Sequence, residues 1–217
     1  MKNVFKNLQI AFLEKSVLAS GYPMTTGEPE QRVLTEKDWK RAGRLSKQGN
    51  GHDNFLKGIR VNFDYRYTQA VTPQLQRYNF IDYVSSQSKM HRLIKIKKIE
   101  NSCNGYVFRE TINKLNYFIE KYNTFENYCY INDTKYNKDG IVIGSNKITE
   151  KKELWKYILY NVPLGFQLWV NISTNYLQLK NIYIQRSDHR LDEWTDFCHS
   201  IELLEHSYLI TENEQKK

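Results

Sequence analysis

The chain has 217 residues, 40% of them hydrophobic, and a formal net charge of +8. That length and composition suit one folded domain and exclude a disordered chain, while the charge favours anionic partners such as nucleotides or nucleic acid over a bare lysine-rich surface only if a site collects it. Three cysteines, Cys103, Cys129 and Cys198, with no C-x-x-C pair, exclude a disulfide scaffold and a structural zinc site.

The opening run "MKNVFKNLQIAFLEKS" is interrupted by Lys6, Asn7, Gln9 and Glu14, too polar for a signal peptide or a membrane span. The expected protein is cytoplasmic and makes no membrane contact. Val4, Leu8, Phe12 and Leu13 predict a helix over 4–18, stopped by Gly21 and Pro23. Residues 21–57 read as a long polar loop, with "QGNGHD" as a turn lacking the ending of a phosphate loop.

"GIRVNFDYRY" alternates. Ile59, Val61, Phe63 and Tyr65 share one face of a half-buried strand, and Arg60, Asn62, Asp64 and Arg66 share the other. In "TPQLQRYNFIDYVSSQS", Thr72 and Pro73 suit a helix start, and Leu75, Tyr78 and Ile81 continue it. "HRLIKIKKIE" reads as a short strand and 106–122 as an amphipathic helix. The turn signals of 124–149 predict a hairpin-like insertion. A helix over 150–160, an alternating strand "FQLWVNIS", a helix beginning at "TNYLQLKNIYIQR" and a last helix over 191–204 complete the chain. The tail from about 210 is expected to be disordered. Strands mixed with helices, without regular βαβ spacing, indicate an α+β fold over 1–217.

Two stretches carry polar groups suited to a site. Gln74 to Arg92 joins Arg77, Ser85, Ser86, Gln87 and Ser88 to His91 and Arg92: hydroxyls, amides and cations that fit an anion or a nucleotide edge. In the helix after "FQLWVNIS", Asn175, Leu179, Ile182, Tyr183 and Arg186 fall on roughly one face. A cap at Thr174 and a C-terminal cation at Arg186 are the bland account, yet Arg186 on an apolar stripe must snorkel or meet an anion. Asp188, His189, Asp192 and Glu193 lack metal-ligand spacing, and no G-x-S-x-G elbow supports a hydrolase.

These stretches, in this order, resemble the flavin-dependent thymidylate synthase family. There, an aromatic-rich strand leads to Gln-hydrophobic-x-Arg-His-Arg and Asn-Glu-x-Ser, and later Arg-x-x-Leu-Pro, a strand, and Asn-x-Arg-x-Leu-x-x-Phe-x-x-x-Arg. Here "VNFDYRY", "QLQRYN", "SSQS", "LYNVP", "FQLWVNIST", "NYLQLKNIYIQR" and "LDEW" follow in sequence. The resemblance implies that Asn175, Asn181 and Arg77 approach FAD and that Gln74, Gln87 and Arg186 bind a pyrimidine nucleotide, dUMP. It assigns catalytic roles to Arg186 and Ser88, with NADPH and methylenetetrahydrofolate as co-substrates in a homotetramer. The cation at the pyrimidine would stabilise charge developing during attack on the ring.

Arg77 and Arg186 keep their places, but other signature residues are replaced here: Tyr78 and Asn79 stand in the Arg-His-Arg run, Leu177 in the helix and Leu159 before the Leu-Pro equivalent, with Ser85 and Ser86 at Asn-Glu. Each lost arginine contact is worth about 1.5–3 kcal/mol, so other cations must substitute, with Lys89, Arg92 and Lys95 as candidates. The alternative reading is an inactive phage protein on the same fold that binds a nucleotide, nucleic acid or a host defence protein.

Overall fold

The computed structural model describes residues 1–28, 32–131 and 147–212. In chain order it contains β1 (Phe5–Ala11), α1 (Leu13–Ala19), α2 (Glu36–Gln48), β2 (Arg60–Thr68), α3 (Thr72–Leu75), β3 (Asp82–Ser86), α4 (Lys89–Leu93) and α5 (Arg109–Asn123). Then come β4 (Cys129–Tyr130), β5 (Lys147–Ile148), α6 (Lys151–Tyr160), β6 (Gln167–Asn175), α7 (Tyr176–Arg186), α8 (Asp192–Glu202) and α9 (Tyr208–Thr211). Contacts group these into two compact units. One is Met1–Tyr67, Val71–Ser86 and Trp169–Lys217, and the other is Thr68–Ala70 and Gln87–Leu168.

The first unit is built on a four-stranded sheet in the order β1-β2-β6-β3, with β1 antiparallel to β2 and β3 antiparallel to β6. β2 keeps the expected alternation. Val61, Phe63, Tyr65 and Tyr67 are buried, while Asn62, Asp64 and Arg66 face a half-open polar side. On the buried side Phe63 stacks on Phe5 at 3.9 Å, and Phe197 of α8 meets Phe5, Phe63 and Tyr65 edge-on. Such ring pairs add to the apolar area they bury. On the polar side Asn171 Nδ2 donates to Asp64 Oδ1 at 2.8 Å and Asn7 Nδ2 to Asp64 Oδ2 at 2.6 Å, which holds the Asp64 carboxyl below its usual range. The tyrosine-rich core has a cost as well. The hydroxyls of Tyr65 and Tyr83 are buried with no hydrogen-bond partner among the described residues, and burial raises both phenols.

Four local expectations change. The segment 4–18 is not one helix: Phe5 is drawn into the aromatic core as part of β1, Leu8 and Phe12 are left exposed, and Phe12 turns left-handed (φ 63°) before α1 starts. Sheet pairing overrides helical spacing there. The expected helix from Thr72 stops at Leu75, because "DYVSS" pairs with β6 instead. "HRLIKIKKIE" is not a strand. Its first residues end α4, and a 3-10 turn follows at Ile99–Ser102. The expected loop 21–57 contains the 13-residue α2.

The start of α2 explains why this segment is ordered. Thr35 and Asp38 form a capping box: Thr35 N and Oγ1 both donate to Asp38 Oδ2, at 3.0 and 2.6 Å. Asp38 Oδ1 pairs with Arg41 at 2.7 Å and Arg32 at 3.1 Å, and those two arginines also donate to the Val17 and Leu18 carbonyls at the end of α1. The Thr35 hydroxyl first, then Arg41, depress the buried Asp38 carboxyl to about 2. A depressed carboxyl stabilises the fold above its unfolded pKa, near 3.8, and that stability is lost as pH falls through about 2. Asp38→Asn should therefore cost about 2 kcal/mol at pH 7 and flatten the acid limb of stability between pH ~4 and ~2, read by urea unfolding across pH.

In the second unit α5 packs on α6 through Phe118 and Tyr157, stacked at 4.9 Å, with Ile112, Leu115 and Ile119 also buried as the spacing predicts. β4 and β5 pair antiparallel; the centre of the expected hairpin-like insertion, 132–146, lies outside the described residues, as does most of the predicted tail.

Candidate functional site

β6 runs directly into α7, and this junction builds the site. Thr174 is not the cap. It is the last inward residue of the strand pattern, and its hydroxyl donates to the Phe80 carbonyl at 2.8 Å. The cap is Asn175, in extended backbone, whose Oδ1 accepts from Gln178 N at 2.9 Å. That leaves the Asn175 amide nitrogen as a donor.

Above this first turn of α7 lies a cavity of about 190 Å³, lined by Lys57, Arg60, Phe80, Asn175, Leu177, Gln178 and Asn181. Two of the expected cofactor residues, Asn175 and Asn181, are thus brought together. No lining residue is acidic. The partial positive charge of the helix N-terminus adds to Lys57 and Arg60, a combination that attracts a phosphate or carboxylate. The Phe80 ring, 62% exposed and held at its own carbonyl by Thr174, offers an apolar face for a planar ring. The cavity is smaller than the roughly 300–1,000 Å³ typical of a pocket that encloses a whole small-molecule ligand.

Lys57, Arg60 and Phe80 escaped the sequence reading. Arg60 was visible only as one outward residue of an alternating strand, and Phe80 sat in a stretch read as helix. Lys57 and Arg60 are the two cations on the groove that Leu177 lines without a charge. The three cations expected as substitutes belong to the second unit. Arg92 there donates to the Gln167 carbonyl at 2.8 Å and to Ser102 Oγ at 2.9 Å, and Lys89 to Gln69 Oε1 at 3.4 Å, while Lys95 is exposed.

Arg186, at the other end of α7, neither snorkels nor meets a carboxylate. Its Nε donates to Tyr78 Oη at 2.8 Å, and its guanidinium lies 4.9 Å from the Trp194 ring centroid and 5.8 Å from that of Tyr78. Tyr78 donates onward to Gln185 Oε1, and Trp194 Nε1 donates to Gln74 Oε1 at 2.8 Å. Gln74, Tyr78, Arg186 and Trp194 therefore form one cluster, and Nε is the only nitrogen of the Arg186 guanidinium that hydrogen bonds among the described residues. Its two Nη groups retain the fork that recognises a carbonyl or phosphate. His189, near Trp194, is pushed below its ordinary range by burial and then by Arg186 and Arg190, and its Nδ1 accepts from Leu191 N, so it is neutral at pH 7. The Arg77 side chain is exposed.

Gln87 and Ser88 fall in the second unit, both exposed. Ser88 is the cap of α4, its Oγ accepting from His91 N at 3.3 Å. Among the described residues, no three His, Cys, Asp or Glu side chains gather where a metal could be held, and no helix is long and apolar enough to cross a membrane.

The mixed fold of helices around a small antiparallel sheet is like that of flavin-dependent thymidylate synthases. The chain is similar to the crystal structure of thymidylate synthase X (ThyX) from Helicobacter pylori with FAD and dUMP, with a TM-score of 0.65 and 16% identity over 97% of each chain. A second structure of flavin-dependent thymidylate synthase ThyX from Helicobacter pylori, complexed with FAD and dUMP, gives a TM-score of 0.62 and 16% identity over 97% of this chain and 98% of that one. No protein-family model and no curated protein matches the sequence. At this identity the likeness is one of fold.

Proposed function

We propose that this protein binds a pyrimidine nucleotide and a flavin around the two ends of α7, as a divergent flavin-dependent thymidylate synthase-like protein. The observation that carries this reading is the groove over the first turn of α7, where Lys57, Arg60, Phe80, Asn175 and Asn181 converge. These residues fit part of FAD: cations and a helix N-terminus for phosphate, amides for a ring edge and an aromatic face for stacking. Bound flavin would carry reducing equivalents from NADPH, with methylenetetrahydrofolate giving the one-carbon unit to dUMP. The chain's own part is electrostatic and positional. The Arg186 Nη groups orient a pyrimidine carbonyl and stabilise negative charge on it, and Gln74, through Trp194, keeps the surface beneath the guanidinium in place. A homotetramer would complete a groove that one chain leaves partial.

The test is an absorbance spectrum of the purified protein with mass spectrometry of whatever co-purifies. A flavin spectrum, or reconstitution by added FAD with dUMP binding in calorimetry, is expected. A colourless protein that takes up neither sinks the proposal. Leu177→Arg would return a cation to the groove and should tighten FAD by roughly tenfold in a fluorescence titration, the worth of about one charge-assisted contact.

A second reading keeps the binding and drops the chemistry. Ser88 is what favours it, since its hydroxyl is engaged as the cap of α4. Conversion of dUMP in the presence of FAD, NADPH and methylenetetrahydrofolate separates the two, being absent in this case while dUMP binding persists.

A further inference from the structure

We propose that the groove between α2 and α9 is a second binding site, one for single-stranded nucleic acid. It shares no residue with the α7 groove. The cavity measures about 560 Å³ and is lined by Trp39, Lys40, Gly43, Arg44, Lys47, Tyr208 and Glu212.

Its cations are ordered. Lys40, Arg44 and Lys47 recur at spacings of four and three, which puts them on one face of α2, with exposed Lys37 a turn earlier. At 1.5 Å per residue the lining cations span roughly 10 Å, long enough to follow more than one phosphate. Lys40 and Arg44 are exposed and make no ion pair among the described residues. Glu212 is the single acid in the lining and sits at one end, paired with Lys47 at 2.7 Å.

The aromatic groups are fixed before any ligand arrives. Trp39 is stacked on His206 at 3.9 Å with the planes 14° apart, and His206 meets Tyr208 edge-on at 5.7 Å. His206 takes a left-handed backbone (φ 50°), unusual for a non-glycine residue, to present its ring there. Gly43 lines the floor between them, where even a Cβ would only come into van der Waals contact with the Tyr208 ring, at 3.4 Å. A cationic track beside held aromatic faces is the pattern that takes phosphates and stacks unpaired bases without reading sequence. Stacking needs bases out of a duplex, which is why the site suits a single strand. An acidic peptide would use the cations and leave the aromatic pair idle.

The test is fluorescence anisotropy of a labelled oligo(dT) of roughly 12 nucleotides with the full chain at several salt concentrations. Saturable binding is expected, with a log–log salt slope near −2, from about three phosphate contacts at ~0.7 each. Lys40→Glu with Arg44→Glu should weaken it at least tenfold. Lys97→Glu with Lys152→Glu makes the same charge change at exposed positions in the second unit and should leave affinity within about twofold. Trp39→Ala should weaken binding, and Glu212→Gln, which removes the one acid of the lining, should tighten it. Absence of binding overturns the proposal, and so does an equal loss in the control pair, which marks diffuse charge attraction. Competition by dUMP or FAD overturns it as well, by moving the oligonucleotide to the α7 groove. Retention of oligo(dT) affinity in Trp39→Ala with full displacement by poly-glutamate assigns the groove to acidic peptides instead. None of these readouts depends on flavin uptake, so the proposal stands or falls apart from the nucleotide-site reading.

Discussion

Removing Lys57 and Arg60 together, by alanine at both positions, is expected to lower the affinity for flavin and for nucleotide phosphate roughly 100-fold. Each is a cation on a groove without a carboxylate, at a helix N-terminus. A charge-assisted contact is worth about 1.5 kcal/mol at the low end, two make about 3 kcal/mol, and each factor of ten is 1.4 kcal/mol. Both side chains are exposed, and among the described residues the Arg60 guanidinium hydrogen bonds only to Ser173 Oγ, at 3.5 Å, so stability should hardly move. Calorimetric titration beside thermal melting distinguishes the two effects. A drop smaller than threefold would mean that the phosphate lies elsewhere and that the amides of Asn175 and Asn181 hold the ligand alone.

The second large effect concerns stability. Lys180 of α7 is 4% exposed, and its Nζ donates to Asp53 Oδ2 at 2.7 Å and to the Ser46 carbonyl at the end of α2. Breaking such a pair leaves a charge buried without its counterpart. Asp53→Ala is expected to cost about 3–5 kcal/mol in urea unfolding. Asp53→Leu combined with Lys180→Met should cost far less, because an apolar pair of similar size needs no compensation. A single-substitution loss under about 1 kcal/mol would show that water reaches the pair. The ion pair also ties the turn at Gly49, Asn50 and Gly51, all left-handed at φ 64°, 51° and 91°, to the helix that carries the site. The turn expected at "QGNGHD" thus has a definite task, which is to deliver Asp53 beneath α7.

Lys180 shows where sequence reading ends. Within α7 nothing local separates it from a solvated lysine, since its partners lie 127 and 134 residues away. The β2 and β6 strands were legible because period-two alternation follows from one buried face, and α5, α6 and α8 because their apolar residues recur at helical spacing. β1 and β3 were not. "FKNLQIA" and "DYVSS" are outer strands with mostly exposed side chains, so no buried face imprints a period on them. That Asn175, Asn181 and Arg186 belong to one helix was legible from the spacing: Asn175 caps α7, Asn181 lies on it and lines the groove with Asn175, and Arg186 ends it. Lys57, Arg60 and Phe80 reach the same groove only through the pairing of β2 with β6 and the Thr174 bond to Phe80, which no spacing encodes.

Those outer strands have one more effect. The ladder of β1 is broken between Lys6 and Gln9, where Asn7 turns left-handed (φ 51°), and that of β3 is broken between Tyr83 and Ser85. Both margins of the sheet are therefore interrupted within a few residues, and neither presents a long regular row of amide donors and carbonyl acceptors to another chain. A sheet guarded on both sides in this way resists runaway strand addition. Contact between copies, where it occurs, would then fall to side-chain surfaces rather than to strand edges.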